Sequence, residues 1–89
     1  MKSQTTERFR SAFADLPADI QRQAREAYGL FQANPSHPSL RFRQVHPTRP
    51  LYSARINRDY RAVGMRHDDT IVWFWIGNHD NYERLLGRG

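Results

Sequence analysis

The most constraining feature of this chain is the segment Thr70–Ile76, TIVWFWI, which is apolar at nearly every position. A strand with one wet face alternates polar and apolar residues, whereas a continuous apolar run predicts a strand buried on both faces, at the centre of a sheet. Trp73 and Trp75 are expected to share one face and the residues between and beside them the other. One set must meet the helices, and the other is either covered or faces a ligand.

Three further segments have strand character. From Leu40 the period is two, with Leu40, Phe42 and Val45 alternating with charged or polar residues. Two more strands are predicted at Leu51–Ile56 and Tyr60–Arg66, joined by a short hairpin loop at residues 57–59. The sequence therefore predicts four strands, mainly antiparallel, with the apolar segment as the central one.

Two helices are predicted ahead of the strands. The first runs from about Thr6 to Phe13, and the second carries its apolar residues on one face and ends at Asn34, before Pro35. Two helices followed by a run of strands predict an α+β fold in which an antiparallel helix pair packs on one face of the sheet. We expect one domain over residues 1–89, with a tail at His79–Leu86 that forms a short turn or helix.

The charge of the chain indicates either a polyanionic or acidic partner or merely a soluble, arginine-rich surface. The formal net charge is +5 and Lys2 is the only lysine, so the basic side chains are almost all arginine. Arginine matches phosphate and stacks on bases. The chain has no cysteine and its four histidines lack ligand-like spacing, which predicts no metal site and no cofactor. With neither an apolar span nor a signal-peptide pattern, we expect a cytoplasmic protein that does not bind membranes.

Arg55 and Arg61 flank the predicted hairpin loop. If that loop is residues 57–59, the two arginines face each other on one side of the sheet. Like charges directly opposite each other are destabilising, so such a pair usually has an anion or a carboxylate to fill the gap. The alternative is two solvated arginines on an exposed strand face.

His79 and Tyr82 in the tail add groups that can move protons. A histidine exchanges protons near neutral pH, and a tyrosine can stack on a base or transfer a proton. Beside arginines they make a site for phosphodiester cleavage by an RNA 2′-hydroxyl. The alternatives are a surface histidine and a tyrosine that packs on the core.

The string YSARINRDYRAVGM, followed by an apolar strand and then WIGNHDNYERLL, resembles the RelE/ParE toxin superfamily from about residue 5 to 86. The resemblance implies a microbial-RNase-like α+β fold. It also implies a type II toxin that is a metal-independent, ribosome-dependent mRNA endoribonuclease. The implied partners are a cognate antitoxin, the ribosome and mRNA, with operator DNA contacted only through the antitoxin complex.

Carried over by position, the resemblance implies a catalytic set and an RNA-binding set. The catalytic set is Arg55, Arg61, His79 and Tyr82, and the RNA-binding set is Arg41, Arg43, Arg58 and Ser53. Ser53 stands where ribosome-cutting members carry a second lysine, and the strand that many members place before the helices is absent or very short. Two alternatives stay open: a ParE-like toxin that binds DNA gyrase, and a non-toxic relative that only binds an antitoxin.

Overall fold

The computed structural model describes residues 1–87. Its elements follow in the order β1 (Lys2–Thr5), α1 (Glu7–Ala14), α2 (Ala18–Ala33), a 3₁₀ turn (Pro38–Leu40), β2 (Arg43–Gln44), β3 (Leu51–Arg55), β4 (Tyr60–His67), β5 (Thr70–Asn78) and α3 (His79–Leu85). The predicted α+β class is confirmed. No helix among these residues is long and apolar enough to cross a membrane.

The two N-terminal helices begin and end close to their predicted limits because local signals set both. The Oγ1 of Thr6 accepts a hydrogen bond from the Phe9 N–H at 3.1 Å and caps α1. Pro17 is the N-cap of α2. The Gln21 side chain donates to the carbonyl of Phe13 at 3.2 Å and to that of Ala14 at 3.1 Å, which fastens the corner between the helices.

The strands form one mixed sheet with the order β1-β5-β4-β3-β2. Strand β1 runs parallel to β5 at one edge, and the other neighbours are antiparallel. The prediction that β5 is the central strand and is buried on both faces is therefore wrong, because β5 lies beside the edge strand and buries only Ile71, Trp73 and Ile76 fully. Within residues 1–87 the sheet therefore has five strands where the sequence predicted four. The additional strand is the polar segment KSQT, a four-residue edge strand too short to show a hydrophobic alternation.

The strand predicted from Leu40 begins only at Arg43. Pro38 opens a 3₁₀ turn, and His37 Nδ1 accepts from the Ser39 N–H at 3.2 Å. Arg41 then adopts a left-handed conformation with φ 46°, which interrupts any extended run. Leu40 is 1% exposed and belongs to the core, so the apolar alternation reflects burial of a turn and not a strand.

Trp73 and Trp75 lie on opposite faces of the sheet, contrary to the prediction. Val63 pairs with Trp75 while Gly64 pairs with Trp73, so Phe74 is an extra residue in a β-bulge. The bulge changes the alternation by one position. The Trp73 ring consequently packs against Phe31, with centroids 5.4 Å apart, whereas Trp75 packs against Tyr82 at 6.3 Å.

The two faces of the sheet are covered by different helices. We call the side against α1 and α2 the helix face; its strand residues share one buried cluster with α2 and are Ala54, Ala62, Ile71, Trp73 and Ile76. We call the opposite side the arginine face, which carries Ser53, Arg55, Arg61, Val63 and Trp75. Helix α3 lies over part of the arginine face through Tyr82, which is 5% exposed.

Candidate functional site

Arg55 and Arg61 are direct cross-strand partners at the loop end of the β3–β4 hairpin. The N–H of Ile56 donates to the carbonyl of Tyr60 at 3.1 Å and closes the hairpin with residues 57–59 as its loop. The predicted loop length and the predicted juxtaposition of the two arginines are therefore confirmed. Both side chains are half-buried on the arginine face.

Asn57 organises the loop beside Arg61, a role that the sequence analysis missed. Its Oδ1 accepts from the N–H groups of Asp59 at 2.8 Å and Tyr60 at 2.9 Å. Its carbonyl accepts from Arg61 Nη1 at 2.6 Å, and its Nδ2 donates to Gln23 Oε1 on α2 at 2.6 Å. An asparagine opening a tight loop is a known signal for such a turn, and here the turn also orients Arg61, a predicted catalytic residue.

Positive charge is concentrated around Arg61. Burial lowers the pKa of Arg61, and the neighbouring charges of Arg55, Arg41 and Arg43 lower it further, while Tyr82 acts in the opposite sense. The guanidinium stays protonated at any working pH. Its lowered pKa reflects first the burial of the charge and second the repulsion from neighbouring arginines, which a bound anion would relieve.

No carboxylate forms an ion pair with these arginines in the described part of the chain. Across residues 1–87 the ion pairs join Arg22 to Glu26 and His79 to Glu83, and neither includes an arginine of the arginine face. Arg61 Nη1 donates instead to backbone carbonyls, including that of Tyr60 at 3.0 Å. The cluster therefore has the positive charge and the N–H donors that binding of a phosphate requires.

The predicted RNA-binding arginines surround this pair at exposed positions. Arg41 follows the 3₁₀ turn, and Arg43 on β2 pairs with Ser53 of β3. Arg58 is exposed at the tip of the hairpin loop, and its carbonyl accepts from Arg61 Nη1 at 3.4 Å. Arg41 and Arg43 are near enough to affect the pKa of Arg61, so the structure brings them to the same site.

Helix α3 brings the tail to the arginine face. Asn78 caps it by accepting from the Asn81 N–H at 2.9 Å, and the His79 N–H donates to the Asp59 carbonyl at 2.6 Å. The second bond ties the start of α3 to the loop that carries Arg58. His79 Nε2 lies 3.3 Å from Glu83 Oε1, and the His79 ring is exposed to solvent.

Tyr82 and Ser53 form the buried part of the site. The Tyr82 hydroxyl donates to Ser53 Oγ at 3.4 Å, and the ring centroids of Tyr82 and His79 are 5.9 Å apart. Ser53 is 5% exposed, so it lies beneath Tyr82 and does not reach the surface as Arg41 and Arg43 do. The structure places all four predicted catalytic residues together, with Ser53 as a support for one of them.

A separate cavity of about 400 Å³ lies on the helix face, between the helices and the sheet. Its lining is mainly apolar and includes Phe13, Tyr28 and Trp73, but no predicted catalytic residue. The indole N–H of Trp73 is buried without a hydrogen-bond partner among residues 1–87. We therefore place the candidate site on the arginine face, where the charges and the titratable groups converge.

Comparisons with known proteins agree with this architecture. The family model for a ParE-like toxin domain matches residues 18–84. No curated protein matches the chain by sequence. The structure of YafQ from E. coli strain BL21(DE3) is similar with a TM-score of 0.72 at 9% identity, covering 91% of this chain and 96% of that one.

Two toxin–antitoxin complexes contain a similar chain. The RelBE2 complex from Mycobacterium tuberculosis matches with a TM-score of 0.68 at 21% identity, covering 88% of this chain and 96% of that one. The RelB–RelE complex from Methanococcus jannaschii matches with a TM-score of 0.70 at 14% identity, covering 92% and 96%. At such identities the likeness establishes the shared fold.

Proposed function

The chain belongs to the ParE-like toxin domain family, and on that premise we propose that it is a toxin of a toxin–antitoxin system that cuts mRNA on the ribosome. The observation that carries this proposal is the Arg55–Arg61 pair, which makes no ion pair with a carboxylate within residues 1–87 and lies beside Tyr82. Paired cations without an acidic partner favour binding of a phosphate. The neighbouring titratable groups favour proton transfer during cleavage at that phosphate.

The chemistry is transfer of the scissile phosphate to the adjacent 2′-oxygen. The RNA 2′-hydroxyl attacks phosphorus, its proton passes to a base, and the bond to the 5′-oxygen breaks. The leaving oxygen takes a proton, so the products are a 2′,3′-cyclic phosphate and a 5′-hydroxyl. Arg55 and Arg61 stabilise the negative charge that develops on the phosphate oxygens, and this route needs no metal.

His79 and Tyr82 supply the two proton transfers. His79 is exposed and can return its proton to solvent, which suits the base, and Glu83 orients its ring across a contact of 3.3 Å. The Tyr82 hydroxyl lies in the covered part of the site beside Ser53, which suits delivery of a proton to the leaving oxygen. The exposed Arg41, Arg43 and Arg58 hold the flanking RNA backbone.

The proposed protein partner is a cognate antitoxin, since RelE-like chains in similar structures are bound to RelB antitoxins. An acidic or amphipathic segment over the arginine face would neutralise the charge around Arg61 and block access to the site. Any contact with operator DNA belongs to the toxin–antitoxin complex and not to this chain alone.

The decisive test is cleavage of a defined mRNA on translating ribosomes, with new 5′ ends mapped by primer extension. We expect cleavage at A-site codons by the native chain, and Arg61→Ala should reduce the rate by about 10²–10³ because one charge-stabilising group is lost. Arg22→Ala is the matched control, since Arg22 is an exposed arginine paired with Glu26 on α2. A folded Arg61→Ala variant that cuts at the native rate would refute the role of Arg61.

A ParE-like gyrase poison is the second candidate, which the name of the matching family favours. That function needs surface contact and no proton-transfer groups. If ribosomes are not cut, supercoiled DNA incubated with gyrase and the chain should accumulate double-strand breaks, and His79→Ala should leave that accumulation unchanged.

A further inference from the structure

Trp75 lies on the arginine face only because of the bulge at Phe74. Without that extra residue, Trp75 would share the helix face with Trp73 and be enclosed in the core. It lies instead beside Tyr82, with ring centroids 6.3 Å apart and an angle of 40° between the ring planes. The proposed cleavage chemistry uses no part of this side chain.

The indole of Trp75 lies over the backbone at Gly77. A Cβ atom added at Gly77 would be 2.8 Å from Cζ2 and 3.0 Å from Cη2 of the indole. Gly77 is the cross-strand partner of Arg61, and Arg61 is the partner of Arg55. The distal edge of the indole therefore extends along β5 to the strand position opposite Arg61.

The two tryptophans differ in solvent exposure as well as in their neighbours. Trp73 is 3% exposed and is enclosed by Phe31 and Phe42, whereas Trp75 remains partly exposed. A rigid aromatic surface resting on a glycine and beside a phosphate-binding cluster is the arrangement on which single-stranded nucleic acids stack a base.

We propose that Trp75, seated on Gly77, is a stacking platform for an unpaired RNA base next to the phosphate bound by Arg55 and Arg61. The platform rests on the proposed function for its substrate class, but base stacking requires no cleavage. It would set the position of the scissile nucleotide relative to His79 and Tyr82. Because every base has a π-face, the platform would tolerate all four bases and contribute mainly to affinity.

The test uses a short single-stranded RNA with 2′-O-methyl groups, which binds but cannot be cut. Trp73 is enclosed, so quenching of tryptophan fluorescence on binding to the native chain should come from Trp75. Affinities of all variants are measured by the fluorescence anisotropy of a dye on the RNA, because the Trp75 variants lack the quenched indole. We expect Trp75→Leu to weaken binding by about 5- to 140-fold, the range for loss of one base–aromatic stack, and Trp75→Phe to recover most of the affinity.

Gly77→Ala provides a second variant that keeps every side chain of the site. Its new methyl group displaces the indole without removing it, so RNA affinity should fall while circular dichroism stays native. Equal affinity in the native chain and in folded Trp75→Leu, or no binding of the RNA by the native chain, would overturn the platform.

Failure of the platform and failure of the proposed function give different results. If ribosomal cleavage depends on Arg61 but oligonucleotide affinity does not depend on Trp75, the nuclease stands and the platform is wrong. If the oligonucleotide binds through Trp75 but no mRNA is cut on ribosomes, the platform stands and the nuclease is wrong.

Discussion

The Tyr82 side chain is 5% exposed, and its hydroxyl donates to Ser53 Oγ at 3.4 Å. Its ring also packs beside Trp75 and His79, so the residue has a packing role whatever its chemistry. The sequence left both roles open, because a tyrosine in a short helix shows neither its burial nor its neighbours. The choice of substitution must therefore separate the packing of Tyr82 from its proposed proton transfer.

Tyr82→Phe makes that separation, since it keeps the ring and removes only the hydroxyl. The hydrogen bond is long, so we expect the free energy of unfolding to change by no more than about 1 kcal/mol. If the hydroxyl protonates the leaving oxygen, cleavage on ribosomes should fall by about 10²-fold or more. Urea denaturation and primer extension measure the two effects.

Ser53→Ala is the matched control, because it removes the partner of the same hydrogen bond and leaves the Tyr82 hydroxyl in place. We expect it to lose less cleavage than Tyr82→Phe, because the hydroxyl that would move the proton is retained. A Tyr82→Phe variant that cuts as fast as the native chain would limit Tyr82 to packing.

At the scale of the elements, the bulge in β5 decides which side chains reach the site. It lies opposite the junction of Val63 and Gly64 on β4. A Cβ atom at Gly64 would be 2.9 Å from each of three atoms: Ile71 Cγ1, Trp73 Cε3 and the carbonyl oxygen of Val72. The last is backbone and cannot rotate away, so the close approach of β4 and β5 requires glycine here.

We therefore expect Gly64→Ala to destabilise the fold by about 1–3 kcal/mol, the usual cost of overpacking a core. Gly29→Ala is a matched control, for which we expect the opposite change in stability. Gly29 lies inside α2 with no atom within 4 Å of an added Cβ, so alanine should stabilise the helix by about 0.8–1 kcal/mol. Urea denaturation of both variants tests the pair, and equal stability of Gly64→Ala and the native chain would contradict the close approach.

At the scale of the whole molecule, the positive side chains behind the net charge of +5 are unevenly distributed. Arg41, Arg43 and Arg55 act together on Arg61, whereas Arg22 is paired with Glu26 on α2, on the other side of the sheet. We therefore expect a polyanion to bind preferentially at the arginine face.

This distribution predicts that the salt dependence of RNA affinity changes when Arg43 is replaced and stays the same when Arg22 is replaced. Loss of one phosphate contact in Arg43→Gln should make the slope of log K against log salt shallower by about 0.7 for a single strand. Arg22→Gln should leave the slope unchanged. Titration of the 2′-O-methyl RNA at several salt concentrations measures both, and equal slopes for the two variants would argue against a localised binding face.

The sequence alone determined the features that depend on local patterns. Proline and a capping threonine limit the two helices, and the continuous apolar segment identified an interior strand of the sheet. The turn residues also predicted a hairpin loop at residues 57–59, and the facing of Arg55 and Arg61 was predicted on the condition that the loop has this length. These predictions succeeded because each rests on short-range backbone preferences that neighbouring residues set.

The tertiary structure decided what depends on contacts between distant segments. Pairing with β5 makes a strand of the polar β1, and packing of Leu40 in the core makes a turn where alternation predicted a strand. The bulge at Phe74 is the clearest case, because one extra residue moves Trp75 to the arginine face. Strand register is a property of the pair and not of either strand, so no periodicity within β5 could reveal it.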